Sequence, residues 1–385
     1  MFGNVGVGEY NCPKTTVGEV CSSIVRGPFG SALKKDFFVS RGPNTVKVYE
    51  QKHAIQKDWT LGTYYIDEEK FKELSRFECH GGDFIMSCSG TMGELYQLPD
   101  ESELGIINQA LCKFTLSNKM LPRFFTMAMS LIVQNLQSHG SAINNIAAVK
   151  YVKQMAIPLP DIDIQNEFVS FANQVDKSKV LMKKCFEKFD QLVKSRFIEM
   201  FGTPTRNEKQ WPTESMKSVA PAIQSDNKPK SKGNWLLNLD AIQSNSGEIL
   251  FKNRVSESEV NGSIMAFSPD HVLYSKLRPY LNKVVVPDEY GFGTTELIPL
   301  LPDKLKLTRT YLAHLLRSDA FVSKFSSAVA GTKMPRVTMD VFWKFHVPLP
   351  PMSLQEEFAA FVEQVDKSKF IITSKWTISR ICCVH

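Results

Sequence analysis

Two nearly identical stretches, 190 residues apart, constrain this 385-residue chain more than any other feature. The first, PLPDIDIQNEFVSFANQVDKSK, covers residues 158–179, and the second, PLPPMSLQEEFAAFVEQVDKSK, covers residues 348–369. Thirteen of the 22 aligned positions are identical. Self-similarity at a fixed spacing indicates duplicated structural units. The sequence therefore predicts two copies of one arrangement within a single chain.

Each copy has the features of a helix start. The prolines favour an extended approach and cannot continue a helix from upstream. Asp163 and Ser353 are predicted as N-cap residues, because short polar side chains accept hydrogen bonds from the first free amides. Glu167 and Glu357 follow near the first turn, where negative charge meets the positive end of the helix dipole.

A heptad pattern continues from each start. In the first copy, apolar or small residues recur in alternating steps of four and three at Ile164, Phe168, Phe171, Val175, Ser178, Met182, Cys185, Phe189 and Leu192. In the second copy the pattern is Leu354, Phe358, Phe361, Val365, Ser368 and Ile372. Such a narrow stripe is typical of a coiled coil. As one helix, residues 164–200 would span about 55 Å. The alternative is a surface helix that packs on its own domain.

The larger segments between the repeats resemble each other more faintly. Residues 82–87 and 269–275 are each predicted as a turn that leads into an apolar strand, and residues 121–138 and 308–328 are predicted helical runs. The tripeptide at residues 1–3, Met-Phe-Gly, also repeats at residues 200–202. We predict a mixed α/β fold with two globular domains, residues 1–155 and 203–345. Two long antiparallel coiled-coil helices, residues 156–202 and 346–385, accompany them as a pseudo-two-fold repeat.

The net charge of +6 lies in the two large segments, with +1 in residues 1–155 and +5 in residues 203–345. Modest, localised positive charge fits a protein that shares its phosphate contacts with a partner. The sequence contains no apolar run long enough to predict a transmembrane helix. The N-terminus lacks the pattern of a secretory signal. We therefore expect a cytoplasmic protein without a membrane partner.

Catalytic and metal-binding motifs are missing from the sequence. It contains no phosphate-binding loop, no G-x-G-x-x-G loop, no G-x-S-x-G elbow and no Asn/Asp-Pro-Pro-aromatic tetrapeptide of an adenine methyltransferase. The eight cysteines include no C-x-x-C pair, so no metal site is predicted. We expect a chain that is not itself an enzyme.

The repeats resemble the conserved helical regions of the specificity subunits of type I restriction–modification systems. The stretches GDFIMSCSGTMGELYQLP (82–99), GIINQAL (105–111), VLYSKLRPYLNKVVVPDEYGFGTTEL (272–297) and GTKMPRV (331–337) are similar to parts of that family's target-recognition domains. The resemblance implies that each globular domain reads one half of a split, asymmetric site in double-stranded DNA. It further implies that the helices set the distance between the half-sites.

The resemblance also implies partners. Two methylation subunits, which bind S-adenosylmethionine and methylate adenine, would dock on the helices, and restriction subunits would complete the complex. No cofactor is expected in this chain. Repeated polar and apolar residues are the candidates for helix pairing or for docking of the methylation subunits, with solubility of the helices as the alternative for the polar ones. These candidates are Gln165, Glu167, Phe168, Phe171, Val175, Asp176, Gln355, Glu357, Phe358, Phe361, Val365 and Asp366.

Basic and hydroxyl side chains near glycines and predicted strand ends are the candidates for DNA contact, because arginine can pair with guanine and lysine serves phosphates. The alternative for each charged one is a solvated surface charge. In the first domain the candidates are Arg26, Lys34, Lys35, Ser87, Ser89 and Thr91. In the second domain they are Lys228, Lys230, Lys232, Lys276, Arg278, Lys283, Lys333 and Arg336.

After Lys369 the second repeat stops following the first and continues as FIITSKWTISRICCVH. This departure suggests an atypical or shortened tail. Three alternatives therefore stand beside the leading function. One is a non-productive relative from a silent locus that fails to assemble. Another is a coiled-coil adaptor that does not bind DNA, and the third is the recognition half of a one-chain restriction–methylation enzyme.

Overall fold

The structure is a computed structural model that describes residues 12–62, 64–138, 146, 148–226, 234–256, 264–327, 329–330 and 334–382. For residues 30, 31, 330 and 375–382 only the backbone is described. The chain divides into two compact units. Unit 1 reaches to Val180 and takes in the chain from Ile378 onward, and unit 2 spans Leu181–Thr377. The two parts of the repeat therefore fall in separate units.

The described residues of unit 1 form ten strands and the first helices. The strands are β1 (Lys14–Thr16), β2 (Cys21–Arg26), β3 (Thr45–Tyr49), β4 (Tyr65–Asp67), β5 (Glu78–Cys79), β6 (Phe84–Ser87), β7 (Leu95–Gln97), β8 (Gly105–Ile107), β9 (Leu111–Leu116) and β10 (Ala156–Pro158). The helices are α1 (Val17–Val20), α2 (Gln51–Gln56), α3 (Glu68–Glu73), α4 (Pro122–Ser138), α5 (Val149–Gln154) and the first part of α6 (Ile162–Phe201).

Two four-stranded sheets organise unit 1. One is antiparallel with the order β2-β9-β6-β7. The other has the order β4-β3-β8-β5, in which β3 and β8 run parallel. Strand β6 is buried along its whole length, which explains why it reads as a continuous apolar run. Helix α4 packs on this sheet, with Phe125 beside Phe84 and Phe114.

Unit 2 continues from α6 with the remaining elements. The strands are β11 (Thr213–Ser215), β12 (Asn234–Leu237), β13 (Asn253–Val255), β14 (Ile264–Phe267), β15 (Val272–Ser275), β16 (Val284–Val285), β17 (Gly291–Thr294), β18 (Leu297–Leu300), β19 (Val329–Ala330), β20 (Arg336–Val337) and β21 (His346–Pro348). The helices are α7 (Met216–Val219), α8 (Arg309–Arg317), α9 (Asp319–Ser327), α10 (Met339–Trp343) and α11 (Met352–Cys382), which extends into unit 1.

The sheets of unit 2 repeat the topology of unit 1. The order β13-β12-β17-β14, with β12 parallel to β17, matches β4-β3-β8-β5 strand for strand. The order β16-β15-β18 matches β7-β6-β9. A bridge between Ala222 and Leu300 takes the place that β2 has beside β9. The duplication inferred from the sequence therefore extends through both globular parts.

A short antiparallel strand pair closes each unit at its base. In unit 1, β1 pairs with β10, and Lys14 lies opposite Pro158. In unit 2, β11 pairs with β21, and Thr213 lies opposite Pro348. In both units the chain passes directly from the second strand of the pair through prolines into a long helix. The start of each long helix is thereby tied to the beginning of its own globular part.

The long helices confirm the main prediction from the repeats but correct its details. The 40-residue α6 and the 31-residue α11 start at Ile162 and Met352, so Asp163 and Ser353 lie inside the first turn and are not N-caps. The predicted seam is also misplaced in part, because Leu192 is 50% exposed whereas Val193 is 6% exposed. A straight helix has 3.6 residues per turn and drifts away from a strict heptad.

Each unit has its own hydrophobic core. In unit 2, α6 contributes Val193, Phe197, Met200 and Phe201 to the main cluster, together with Phe358 of α11. In the part of the chain that the structure describes, no helix is both long and apolar enough to cross a membrane.

Candidate nucleic-acid interface

Gln165 and Gln355 anchor the two long helices by the same three hydrogen bonds. The Gln165 side-chain amide donates to the carbonyls of Lys119 (3.0 Å) and Pro160 (2.9 Å), and its oxygen accepts from the Leu121 amide (2.9 Å). Both glutamine side chains are completely buried. We call this arrangement the glutamine anchor.

In unit 2 the glutamine anchor has matching partners. The Gln355 amide donates to the carbonyls of Lys306 and Pro350 at 2.9 Å each, and its oxygen accepts from the Thr308 amide at 2.9 Å. A buried amide with all these bonds made costs little, whereas its loss leaves buried groups unpaired. The assignment of Gln165 and Gln355 to helix pairing or docking was therefore wrong, since both bind the base of their own unit.

Aromatic rings hold the end of α6 and the start of α11 together within unit 2. Phe358 lies edge-on to Phe197 and Phe201, with ring centroids 5.5 and 5.4 Å apart. Phe201 also meets Tyr311 at 4.8 Å. His314 packs against Phe358 at 5.2 Å, and burial lowers the pKa of this histidine to about 3. The ring therefore stays neutral at physiological pH.

Charged pairs between α6 and α11 show how these two helices run relative to each other within unit 2. Arg196 contacts Glu357 at 2.9 Å, and Asp190 contacts Lys369 at 2.5 Å. Residue numbers rise along one helix as they fall along the other, so these segments run antiparallel. Val365 is 5% exposed in the same face. Within unit 2, Glu357 and Phe358 therefore contact α6, and Val365 is buried one heptad after Phe358 on α11.

Two further candidates on α11 line this pairing face. Phe361 packs, partly buried, against the main cluster of unit 2. Asp366 has a raised pKa because it is desolvated by burial, although the nearby cations Lys369 and Arg317 oppose the shift. Burial also lowers the pKa of Arg317 to about 10. Its guanidinium donates to the Val284 carbonyl, which ties α8 to strand β16.

The same repeat positions contact different partners in unit 1. Phe168 lies edge-on to Phe124 of α4 at 5.7 Å, and the Asp176 carboxylate pairs with Arg123 of α4. Val175 is half-buried, and Glu167 is exposed. Phe171 is 44% exposed. In unit 1 this face of α6 therefore packs partly on its own globular part and leaves Phe171 and Glu167 exposed.

Two DNA-contact candidates of unit 2, Arg336 and Lys276, lie beside the Glu296 carboxylate, and a third, Arg278, is joined to them through the backbone. Arg336 binds Glu296 with contacts of 2.8, 3.2 and 3.2 Å. Lys276 adjoins the pair, because its amide donates to the Glu296 carbonyl and its carbonyl accepts from Val337. The Arg278 amide donates to the Pro335 carbonyl at 2.7 Å. We call Lys276, Arg278, Glu296 and Arg336 the basic loop cluster.

The electrostatics of the basic loop cluster follow from this geometry. The pKa of Glu296 is lowered, chiefly by its hydrogen bond with Arg336 and also by Lys276, against a smaller effect of burial. Glu296 therefore stays ionised and holds the Arg336 guanidinium in a fixed orientation. Arg278 is exposed, with a φ of 50°. The cluster thus presents three cations and one anion on neighbouring loops.

Lys283 does not join the basic loop cluster. Its ammonium donates to the carbonyl of Leu239 at 2.5 Å and is half-buried. Lys47 of unit 1 makes the same kind of bond to the Trp59 carbonyl at 2.5 Å. The role that the structure gives Lys283 is to tie a strand end to a loop. We therefore correct its assignment as a DNA-contact residue.

In unit 1 the loop after β6 contains the hydroxyl candidates. Ser87 is completely buried, accepts from the Glu94 amide and donates to the Thr91 carbonyl, so it shapes the turn and offers no exposed atom to DNA. Ser89 is half-buried and bonds to Gln51 through both its hydroxyl and its carbonyl. Thr91 is exposed. Only the tip of this loop is therefore accessible.

The basic candidates of unit 1 differ in exposure. Arg26 is half-buried, and its guanidinium donates to the Gln109 carbonyl at 2.9 Å and lies 5.9 Å from the Phe29 ring centroid. Phe29 is 70% exposed. Lys34 and Lys35, which follow five and six residues later in the sequence, are exposed. The structure thus places an arginine and an exposed aromatic ring close together. Arginine side chains hydrogen-bond to nucleic acid, and aromatic rings stack on its bases.

Four candidates, Lys228, Lys230, Lys232 and Lys333, lie outside the described residues. Sequence reasoning missed Glu296 and Gln51, which position neighbouring candidates. The only signal was their place near strand ends, because Glu296 lies between β17 and β18 and Gln51 begins α2 just after β3. Among the described residues, no group of three or more histidine, cysteine, aspartate or glutamate side chains could hold a metal ion.

Residues 16–188 and 178–379 each match the family described as type I restriction modification DNA specificity domain. A stretch of 124 residues, 32% of this chain, is 27% identical to the type I restriction enzyme EcoDI specificity subunit of Escherichia coli. This match spans about a quarter of that protein, 27% of its length.

One solved structure shows a related fold. A chain from a structure described as "Structural basis underlying complex assembly and conformational transition of the type I R-M system" has a TM-score of 0.58 and is 16% identical, with 96% of this chain and 95% of that chain covered. The HsdS subunit from Thermoanaerobacter tengcongensis is 16% identical, with a TM-score of 0.42 and 94% and 91% of the chains covered.

Proposed function

The chain belongs to the type I restriction–modification DNA specificity family, and from this premise we propose that it reads a bipartite, asymmetric DNA site with its two units. In this proposal it performs no chemistry of its own. Two methylation subunits, each with its S-adenosylmethionine, dock on α6 and α11, and restriction subunits join that complex.

The observation that carries the proposal is one backbone topology built twice with different loop chemistry. Both units share the sheet orders and the glutamine anchor. At corresponding loops, however, unit 1 has Ser89 and Thr91 after β6, and unit 2 has Lys276 and Arg278 after β15. Because the two units share a backbone topology, they would approach DNA in equivalent ways. Because their loop residues differ, they would recognise different half-sites, and the whole site would be asymmetric.

The basic loop cluster supports DNA reading by unit 2. An arginine whose orientation is fixed can donate two hydrogen bonds to guanine, and such a pair discriminates against other bases by about 1–3 kcal/mol. Glu296 holds Arg336 in place. Lys276 and Arg278 would then serve phosphates, which adds affinity without sequence preference. In unit 1 the corresponding proposal rests on Arg26, Thr91, Lys34 and Lys35.

Docking on the helices rests on their exposed apolar side chains. In the unit 1 part of α6, Ile164 is 41% and Phe171 44% exposed, and in the unit 2 part Leu192 is 50% exposed. A monomeric surface helix rarely presents several such residues without a partner. Glu167 is an exposed polar neighbour in unit 1. A methylation subunit that covers these side chains would account for them.

A methylation map tests the proposal. The full chain is co-expressed with its cognate methylation subunit in a host without adenine methylation, and long-read sequencing locates modified adenines. The expected result is one split motif with a fixed spacer. Co-purification without methylation would indicate a non-productive relative, and neither co-purification nor methylation would favour an adaptor that does not bind DNA.

A variant pair assigns the reading role. With Arg336→Gln we expect an altered or lost base preference in one half-site and an unchanged other half-site. Arg254→Gln is the matched control, because Arg254 also pairs with a glutamate, Glu289, at 2.7 Å in unit 2. An unchanged motif in Arg336→Gln, with the protein folded, would remove Arg336 from the reading surface.

A further inference from the structure

An apolar cavity lies within unit 1 at the start of α6. Its volume is about 290 Å³, and its lining includes Phe124, Met127, Ala128, Ile157 and Phe168. Helix α4, strand β10 and α6 supply these side chains. The cavity therefore lies directly beside the glutamine anchor of unit 1.

The duplication identifies the corresponding place in unit 2. Leu121 and Thr308 are equivalent, because their amides bind the two anchor glutamines. Three residues further on, Phe124 corresponds to Tyr311, and Phe168 corresponds to Phe358 in the repeat. In unit 2 these two rings enclose Phe201, with centroids 4.8 and 5.4 Å from it.

The residues around Phe201 form a defined helix end. Gly202 has a φ of 78°, and its amide donates to the Ile198 carbonyl at 2.8 Å. A left-handed glycine that ends a helix in this way is a common C-terminal cap. Trp211 donates from its indole nitrogen to the Phe201 carbonyl at 3.0 Å. The segment 203–211 then leads to β11.

The sequence places the same tripeptide at the same distance before β1 as before β11. Met-Phe-Gly occupies residues 1–3 and 200–202, which are 199 residues apart. The first closing strands keep this offset, because Pro13 accepts from the Leu159 amide as Pro212 accepts from the Leu349 amide, both at 2.8 Å. Nine residues separate the glycine from the proline in both places. In unit 2 a nine-residue segment of this kind, residues 203–211, allows Phe201 to pack against the rings of Tyr311 and Phe358.

We propose that Phe2 enters the unit 1 cavity and packs against Phe124 and Phe168 as Phe201 packs against Tyr311 and Phe358. The N-terminal tripeptide is thus a docking segment for unit 1, with Gly3 at the position of Gly202. The apolar lining suits a phenylalanine ring, and burial of such a ring contributes to stability. This inference does not depend on the proposed function.

Oxidation of Met127 in the full chain by hydrogen peroxide tests the docking, because Met127 lines the cavity whereas Met129 of the same helix is fully buried in the core. Mass spectrometry follows both residues in wild type, in Phe2→Ser and in the control Phe29→Ser, which alters an exposed phenylalanine of unit 1. We expect Phe2→Ser alone to oxidise Met127 several-fold faster, with Met129 unchanged. Equal Met127 rates in all three proteins would overturn the proposal.

If Phe2→Ser also exposes Met129, unit 1 has opened and a second measurement decides. Phe2→benzoylphenylalanine keeps an aromatic ring at this position and forms covalent cross-links under near-ultraviolet light. Cross-links to the peptides that contain Phe124 or Phe168 support docking in the cavity. Cross-links that reach neither peptide overturn it.

Discussion

The two units hold the start of their long helix by the same anchor but surround it differently. In unit 2, Phe358 is completely buried among Phe197, Phe201 and His314. In unit 1, the equivalent Phe168 is half-buried, with Phe124 as its aromatic neighbour on α4. The repeated residues therefore set the backbone path, and residues outside the repeat set how tightly each helix is held.

A single position shows how the neighbourhoods diverge. Met127 of unit 1 corresponds to His314 of unit 2, since each lies six residues after the amide that binds the anchor glutamine. A methionine adapts its shape and does not titrate, whereas a buried histidine links stability to pH. The same position therefore carries a titratable side chain in unit 2 and a non-titratable one in unit 1.

The largest expected effect is a difference in stability loss between alanine variants of the two equivalent phenylalanines, Phe358 and Phe168. Phe358→Ala should lower the free energy of unfolding of unit 2 by about 3–5 kcal/mol, because it removes a fully buried ring. Phe168→Ala should cost unit 1 about 1–2 kcal/mol, since its side chain is only half-buried. Native-state hydrogen exchange of peptides from each unit measures both changes.

Phe171→Ala serves as the control for this comparison, because Phe171 is 44% exposed on the same helix. It should change stability by less than about 1 kcal/mol. Equal losses in Phe358→Ala and Phe168→Ala would show that the two helix starts are held equally, contrary to the packing.

The glutamine anchors should behave alike. Gln355→Ala and Gln165→Ala each leave two carbonyls and one amide near the base of a unit without their partner. We expect each to cost its own unit about 3 kcal/mol. Gln364→Ala and Gln174→Ala are the controls, because they are exposed glutamines at equivalent repeat positions. A much larger loss in one anchor variant, measured by hydrogen exchange, would break the equivalence.

The pH response should distinguish the units. Burial holds the His314 pKa at about 3 in the folded chain, below the ordinary 6.5. The unfolded state therefore binds more protons between these values, so stability falls as the pH drops below about 6.5. We expect His314→Met to recover about 1–2 kcal/mol of the stability that unit 2 loses at pH 5.

Urea unfolding of unit 2 at pH 7.5 and pH 5 measures this difference. Asp366, whose pKa is raised, titrates in both proteins, so the comparison isolates position 314. Identical pH slopes for wild type and His314→Met would mean that His314 does not couple stability to protonation.

The smallest effects belong to the exposed charge pairs. Asp176→Asn removes the pair with Arg123 in unit 1, and Lys369→Met removes the pair with Asp190 in unit 2. Each should change the unfolding free energy by about 0.2–1 kcal/mol and less at high salt. A loss above about 2 kcal/mol in thermal unfolding would show that a pair also positions the helix.

The fold was predictable where repetition or periodicity marked it. The predicted turn-and-strand segments 82–87 and 269–275 contain the strands Phe84–Ser87 and Val272–Ser275, and α4 is confirmed within residues 121–138. The predicted run 308–328 instead forms α8 and α9, because Ser318 ends one helix and caps the next through its hydroxyl. A helix break caused by one serine leaves no periodic pattern in the sequence from which it could be predicted.

The candidate site was predictable only in part, because its geometry depends on residues distant in sequence. Arg336 and Lys276 were chosen for charge, yet Glu296, which organises them, lies on a different loop. The anchor glutamines were noticed for their repetition and given the wrong partner. A side-chain amide can form hydrogen bonds on a helix surface or with buried backbone groups of a turn. The tertiary packing determines which of these it does.

The strand pairs β1–β10 and β11–β21 have a consequence for evolution and design. Each globular part enters and leaves at adjacent antiparallel strands, with Lys14 opposite Pro158 and Thr213 opposite Pro348. Such a part behaves topologically as a large insertion whose two ends are side by side, which is the condition under which transplantation into another chain disturbs the host least. A foreign recognition module that keeps the two strands and the anchor carbonyls could therefore be grafted without redesigning the helices.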